Sequence, residues 1–238
     1  MWNAVLDILK EKVKEGVEVR VMYDGMCSIM LLPYKYPEKL KKYGIKAKMF
    51  APIVPFLSTT QNNRDHRKIV VIDGKVAFTG GVNLADEYIN QVERFGHWKD
   101  VAVKVTGDAV RSFTIMFLQM WNVSEWEREN YEAYLEGITY EEPLYHDGFV
   151  IPYGETPTRS VELGKTVYAS MINSATQYVH IMTPYFIVDR EFLDSMRFAA
   201  RRGVEVVMIL PHIPDKKIVY YIARNYYPEL LEAGIKVY

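Results

Sequence analysis

Three residues in this chain stand at a spacing suited to chemistry at phosphorus. They are His66, Lys68 and Asp73, in the run His66-Arg67-Lys68-Ile69-Val70-Val71-Ile72-Asp73, an H-x-K-x4-D pattern. Gly80, Gly81 and Asn83 follow shortly after. A histidine and a lysine two apart on an extended backbone project from the same face, with Cβ atoms roughly 7 Å apart. One phosphate can then meet both side chains. The imidazole is able to attack phosphorus, and the ammonium to neutralise a non-bridging oxygen as charge redistributes. Asn83 offers amide donors to the same phosphate, and Gly80-Gly81 allows the backbone to approach it closely. Asp73 cannot reach His66 along its own strand, so any pairing between them must come from tertiary folding. Taken singly, each residue has a plainer reading: Asp-Gly suits any hairpin, and a histidine on a strand is commonly structural. The extended pattern carries the specificity.

The elements that must position these residues follow from hydrophobic periodicity. Residues 67–72 and 75–79 read as two strands joined by the hairpin dipeptide Asp73-Gly74. Lys99 to Val105 reads as a further strand, followed by a helix from about Asp108 to Trp121 that is apolar nearly all round and therefore buried. Upstream, Asn3 is placed to cap a helix running to about Gly16, and Val17 to Tyr23 alternates as a strand ending at Asp24-Gly25. Met26 to Leu32 is an apolar run that suits a core or interdomain segment, or contact with acyl chains. Residues 122–160 are aperiodic and acidic, and read as a connector. Beyond it come helix 161–176, strand 178–183, helix 190–202, strand 204–210 and a helical region closing at Gly234.

The pattern helix–Gly–strand–loop–helix–Gly–strand occurs twice. Gly16-Val17-Glu18-Val19 matches Gly203-Val204-Glu205-Val206, and Leu40 with Gly44-Ile45-Lys46 matches Leu230 with Gly234-Ile235-Lys236. This predicts a duplicated α/β unit. The expected layout is a first unit over 1–121 carrying His66 but lacking its first strand, a connector over 122–160, and the start of a second unit over 161–238. His66 lies 22 residues past Gly44. By the same spacing a second copy of the motif would fall roughly twenty residues beyond Tyr238.

Composition narrows the field. About half of the 238 residues are hydrophobic and 25% are charged, ordinary usage for a globular protein with ample core material. A net charge of -1 gives no global electrostatic footprint for nucleic acid. The cluster Lys10, Lys12 and Lys14 suits a solvated helix end. A single cysteine, Cys27, excludes an internal disulfide and any multi-cysteine zinc site. No apolar run approaches bilayer-spanning length, and the N-terminus has no signal-peptide pattern.

With these residues in hand, the stretch 62–90 (NNRDHRKIVVIDGKVAFTGGVNLADEYIN) resembles the HKD signature of the phospholipase D superfamily. Its wider context, HWKDVAVKVTGDAV, FLQMW, IMTPYFIVD, AARRGVEVVMILPHIPDK and YYPELLEAGIKVY, resembles bacterial cardiolipin synthases in particular. The resemblance implies an α/β/α sandwich with a mixed sheet and a duplicated unit. It also implies two HKD motifs facing one pocket, one histidine becoming a phosphohistidine while the other protonates the leaving alcohol. No cofactor and no metal are expected. Carried onto this chain, His66, Lys68 and Asp73 take catalytic roles, and Asn83, Gly80 and Gly81 bind phosphate. Whether His66 is the nucleophile or the acid/base stays open.

The implied donor and acceptor are phosphatidylglycerol molecules at a membrane surface, the parent protein residing at the bacterial cell membrane. Alternatives are another phosphodiesterase of the superfamily (a phospholipase or nuclease) or a non-catalytic lipid-binding fragment. The chain departs from the family pattern in one respect: no second H-x-K-x4-D occurs. His97 has Lys99 two residues on but Lys104 in the aspartate's place; His146, His180 and His212 lack the lysine. Glu87, Tyr88, Trp98 and Asp100 suit structural roles beside the site, and His212 a place in a loop.

Overall fold

The computed structural model describes residues 1–26, 28, 31–52, 63–125, 129–140, 148–156 and 162–238. Cys27, Ile29 and Met30 of the Met26–Leu32 run, His146 and parts of the expected connector therefore lie outside the described residues. The chain divides into two compact units, Met1–Glu93 with His97–Gly154, and Arg94–Gly96 with Glu155–Tyr238.

In the first unit, helix α1 (Trp2–Lys14) leads to strand β1 (Arg20–Asp24), helix α2 (Tyr36–Lys41) and strand β2 (Lys46–Phe50). β1 and β2 pair in parallel, with Arg20 opposite Lys46. Leu6, Val19, Tyr36, Leu40, Ile45 and Ala47 form the core between helices and sheet. Asn3 does not cap α1: it lies within the first turn, and Met1 occupies the cap without a side-chain bond. β1 begins three residues later than expected because Val17 N–H still closes the helix end, donating to Lys12 O.

The motif hairpin follows as strands β3 (Ile69–Ile72) and β4 (Val76–Gly80), antiparallel, with β5 (Ala102–Thr106) added on the far side of β4. Asp73 and Gly74 both have positive φ, at 53° and 64°, in the three-residue loop 73–75, which Lys75 N–H closes by donating to Ile72 O. Directly opposed residues share a face, so Val71, Ala77 and Val105 point to one side. There they pack on helix α3 (Ala109–Trp121) through Val110 and Phe113. α3 exposes only Arg111 and Gln119, in keeping with its all-round apolar sequence. The expected mixed sheet is present as separate parallel and antiparallel ladders, since the extended residues 63–68 between β2 and β3 pair with no strand.

The described residues of 122–154 group with the first unit. Arg20, its side chain only 8% exposed, binds Glu129 and the Tyr134 hydroxyl, and Tyr140 packs against the α3 core. A buried arginine needs its full set of acceptors, and Glu18 together with Glu129 and Tyr134 supplies them.

The second unit runs α4 (Leu163–Ser174), β6 (Tyr178–Met182), α5 (Arg190–Arg201), β7 (Glu205–Ile209), α6 (Lys217–Arg224), α7 (Tyr227–Glu232) and β8 (Lys236–Val237). Its sheet is parallel, in the order β6-β7-β8. The repeated sequence folds alike in both units. Val207 stands opposite Lys236 as Arg20 does Lys46. Gly16 and Gly203 have φ of 88° and 89°, and Glu18–Lys46 (2.6 Å) recurs as Glu205–Lys236 (2.7 Å). Leu40 and Leu230 are each fully buried, and each accepts from the amide five residues on, Ile45 and Ile235.

Candidate active site

The segment 63–68 owes its shape to side chains rather than to a ladder. Asp24 closes β1 with its carboxylate only 5% exposed. Its Oδ2 accepts from Asp65 N–H at 3.3 Å, and Arg64 lies 3.7 Å from Oδ1 while donating to Ala51 O. Asp65 in turn accepts from Arg67, both from the guanidinium at 2.8 Å and from the backbone N–H at 3.1 Å. These bonds use the backbone groups that a strand ladder would need, so β3 starts at Ile69 instead of 67. His66 is held between two braced neighbours.

His66 itself is exposed, and Lys68 half-buried. The two lie immediately before β3, outside its ladder. Lys68 Nζ lies 2.9 Å from His66 Nε2 and 2.8 Å from His66 O. An ammonium only donates, so Nε2 is the acceptor of this contact and the ring proton sits on Nδ1. A phosphate oxygen at Lys68 would offer the ammonium a stronger, charge-assisted partner than Nε2.

Asp73 does not join them. It sits exposed at the tip of the hairpin, and seven extended residues span roughly 23 Å. Asn83 lies just past the end of β4, at the same end of the hairpin as His66, half-buried, with its carbonyl accepting from Ala85 N–H. Gly80 and Gly81 are set by their neighbours in β5. A Cβ on Gly80 would lie 2.5 Å from Val101 O, and one on Gly81 would lie 2.4 Å from Asp100 Oδ1. The close approach these glycines permit is to protein backbone and a carboxylate.

Asp100 is in turn fixed by Trp98, whose indole N–H donates to Oδ2 at 3.0 Å. Trp98 packs edge-on against Tyr88 and exchanges two hydrogen bonds with Asn90. These bonds hold 98–100 outside the ladder, so β5 starts at Ala102 rather than Lys99. Asn90, at φ 58°, and Asp24 are the positioning residues that sequence reasoning missed. Asp24 had a usable signal, since ligand sites in open α/β sheets lie at the carboxyl ends of parallel strands. A cavity of about 90 Å³ lies beside this strand end, lined by Asp24, Asp65, Arg67 and apolar side chains of β1 and α3. His97 and His212 are exposed, and His180 bonds Glu205 at 3.1 Å. Among the described residues no group of histidines, cysteines and carboxylates is placed to hold a metal.

Residues 2–121 and 168–238 match the family described as "Cardiolipin synthase, PLD-like domain". An uncharacterized protein of Streptococcus mutans is 54% identical over all 238 residues, which make up 51% of that protein. The cardiolipin synthase of Alkalihalophilus pseudofirmus is 42% identical over the whole of this chain and 47% of its own length. The chain therefore spans about half the length of these relatives. Among solved structures, the phosphatidylserine synthase of Haemophilus influenzae aligns with 99% of this chain and 62% of its own, at a TM-score of 0.54 and 13% identity, a likeness of fold. The chain belongs to the cardiolipin synthase family of phospholipase D-like domains.

Proposed function

We propose that this chain forms part of a phosphatidyltransferase that makes cardiolipin from two phosphatidylglycerol molecules at the bacterial cell membrane. The observation that carries the reading is the 2.9 Å contact between Lys68 Nζ and an exposed His66 Nε2, in a family whose named members include cardiolipin synthases. In the first half-reaction a histidine nitrogen attacks phosphorus and the bond from phosphorus to the glycerol oxygen breaks. A second histidine protonates that oxygen as it leaves. In the second half-reaction this base takes the proton of the incoming phosphatidylglycerol hydroxyl, whose oxygen displaces the histidine from phosphorus. Glycerol is released and phosphate charge is conserved. Lys68 and Asn83 hold the non-bridging oxygens throughout. His66 fills one of the two histidine roles; the other comes from a second H-x-K-x4-D motif outside these 238 residues.

The need for two histidines follows from the barrier. Phosphodiester cleavage is very slow without catalysis, and an unprotonated alkoxide is a poor leaving group. The 238-residue chain by itself should give no cardiolipin from phosphatidylglycerol vesicles. A version extended through a second motif should be active, and His66→Ala in that version should abolish synthesis. Product analysis by thin-layer chromatography reads both results; robust, concentration-dependent synthesis by the short chain would sink the two-motif reading.

A further inference from the structure

Among the described residues, helix α6 of the second unit leaves one face exposed. Ile218, Tyr221, Ile222 and Asn225 recur at helical spacing and all are exposed, Ile218 at 77% and Tyr221 at 61%. Ile213, in the loop leading to the helix, extends the apolar stripe. The opposite face anchors the element: Ala223 is buried in the second-unit core, and just beyond the helix Tyr226 packs on Phe186 and donates to Val188 O at 3.0 Å. Among the described residues the second-unit core forms without the exposed stripe, which is therefore open to contact with another phase.

The charge around the stripe says which phase. Lys216, Lys217 and Arg224 border it, and no acidic residue occurs between Lys216 and Arg224. The nearest carboxylates are engaged elsewhere, Asp215 by the Tyr185 hydroxyl and Glu229 by Arg190 and Arg197. An apolar face bordered only by cations matches the headgroup–acyl boundary of an anionic lipid layer. The helix also starts from the carboxyl end of β7, the sheet edge where open α/β folds place their ligands.

We infer that α6 is an interfacial helix that docks the second unit on an anionic phospholipid surface, with Ile213, Ile218, Tyr221 and Ile222 in the acyl boundary and Lys217 and Arg224 on lipid phosphates. The identity of the surface rests on the phospholipid substrate proposed above. Co-sedimentation of the 238-residue protein with vesicles of mixed phosphatidylglycerol and phosphatidylcholine tests it, against vesicles of phosphatidylcholine alone.

The protein should bind the anionic vesicles, less tightly as salt rises. Ile218→Ser should weaken binding by about tenfold, as expected when one aliphatic side chain leaves the interface. A Lys217→Glu/Arg224→Glu double variant should remove the preference for anionic lipid. Ile218→Trp should bind and shift its emission to the blue on adding vesicles. Failure of the parent protein to sediment, equal binding to neutral vesicles, or full binding by Ile218→Ser would each overturn the inference. So would a self-association lost in Ile218→Ser while vesicle binding persists. Vesicle binding is read without turnover, so absent cardiolipin synthesis by the version extended through a second motif, with docking of the 238-residue protein intact, would count against the proposed function and not against this surface.

Discussion

At the residue scale, Lys68 has two tasks that a bare motif does not distinguish. Under the proposed function its ammonium supplies charge for a phosphate, and it also contacts His66 Nε2 and donates to His66 O. The imidazole is thus orientated before substrate arrives, with its reactive nitrogen toward the cation. In the extended, active version, Lys68→Met should lower kcat by about a hundredfold to a thousandfold, the usual cost of losing one electrostatic partner of the transition state. Lys68→Arg keeps the charge but exchanges a point donor for a planar fork, and should recover only part of that loss. Steady-state kinetics on mixed micelles reads both; a Lys68→Met enzyme within tenfold of the parent would make the contact incidental.

At the scale of elements, the hairpin that carries the motif is shaped by what β5 places against it. Gly80 sits where a side chain would meet Val101 O at 2.5 Å and Ala102 Cα at 2.8 Å, both backbone atoms that cannot swing aside. Gly80→Ala should therefore part β4 from β5 and cost about 2 kcal/mol, within the range for overpacking. At Gly81 the obstructing group is the Asp100 carboxylate, which can rotate at the expense of its bond to Trp98. Gly81→Ala should then be the milder change. Thermal unfolding of the two variants orders them, and a Gly80→Ala protein melting like the parent would show that the strand spacing relaxes freely. The hairpin's own turn was plain from Asp73-Gly74, because few residue pairs accept two successive positive φ angles. The short run of β3 was not plain, because Asp24, far away in sequence, draws the preceding residues out of the ladder.

At the scale of the whole molecule, each unit closes its parallel sheet with the same exposed clamp, Glu18–Lys46 in one and Glu205–Lys236 in the other. The lysine hydrogen bond holds each glutamate below its usual value of 4.5; Arg20 helps at Glu18 and His180 at Glu205. A carboxylate depressed on folding stabilises the protein above its unfolded value, and this contribution fades as pH falls through the lower folded value. The stability lost in a Lys46→Met/Lys236→Met variant should therefore be full at neutral pH and shrink below about pH 4.5. Urea unfolding at pH 7 and pH 3 measures the difference. A gap that stays constant across this range would assign it to packing of the lysine stems rather than to charge.

What the sequence determined by itself is whatever local spacing and turn chemistry can encode. That includes the hairpin at Asp73-Gly74, the buried helix after β5 and the recurrence of helix, glycine and strand. Period-two alternation and obligatory left-handed turn residues leave these features few alternatives. Only the tertiary structure decided which groups surround the histidine. It brings Asp24 from the end of β1 to the backbone of Asp65, and it packs Glu129 and Tyr134 onto Arg20. It also leaves Asp73 at the hairpin tip and fills the space at Gly80 and Gly81 with β5 and Asp100. Such contacts join residues tens of positions apart. Their formation depends on burying polar groups against the partners that the packed core makes available, and no periodicity in the chain records that choice.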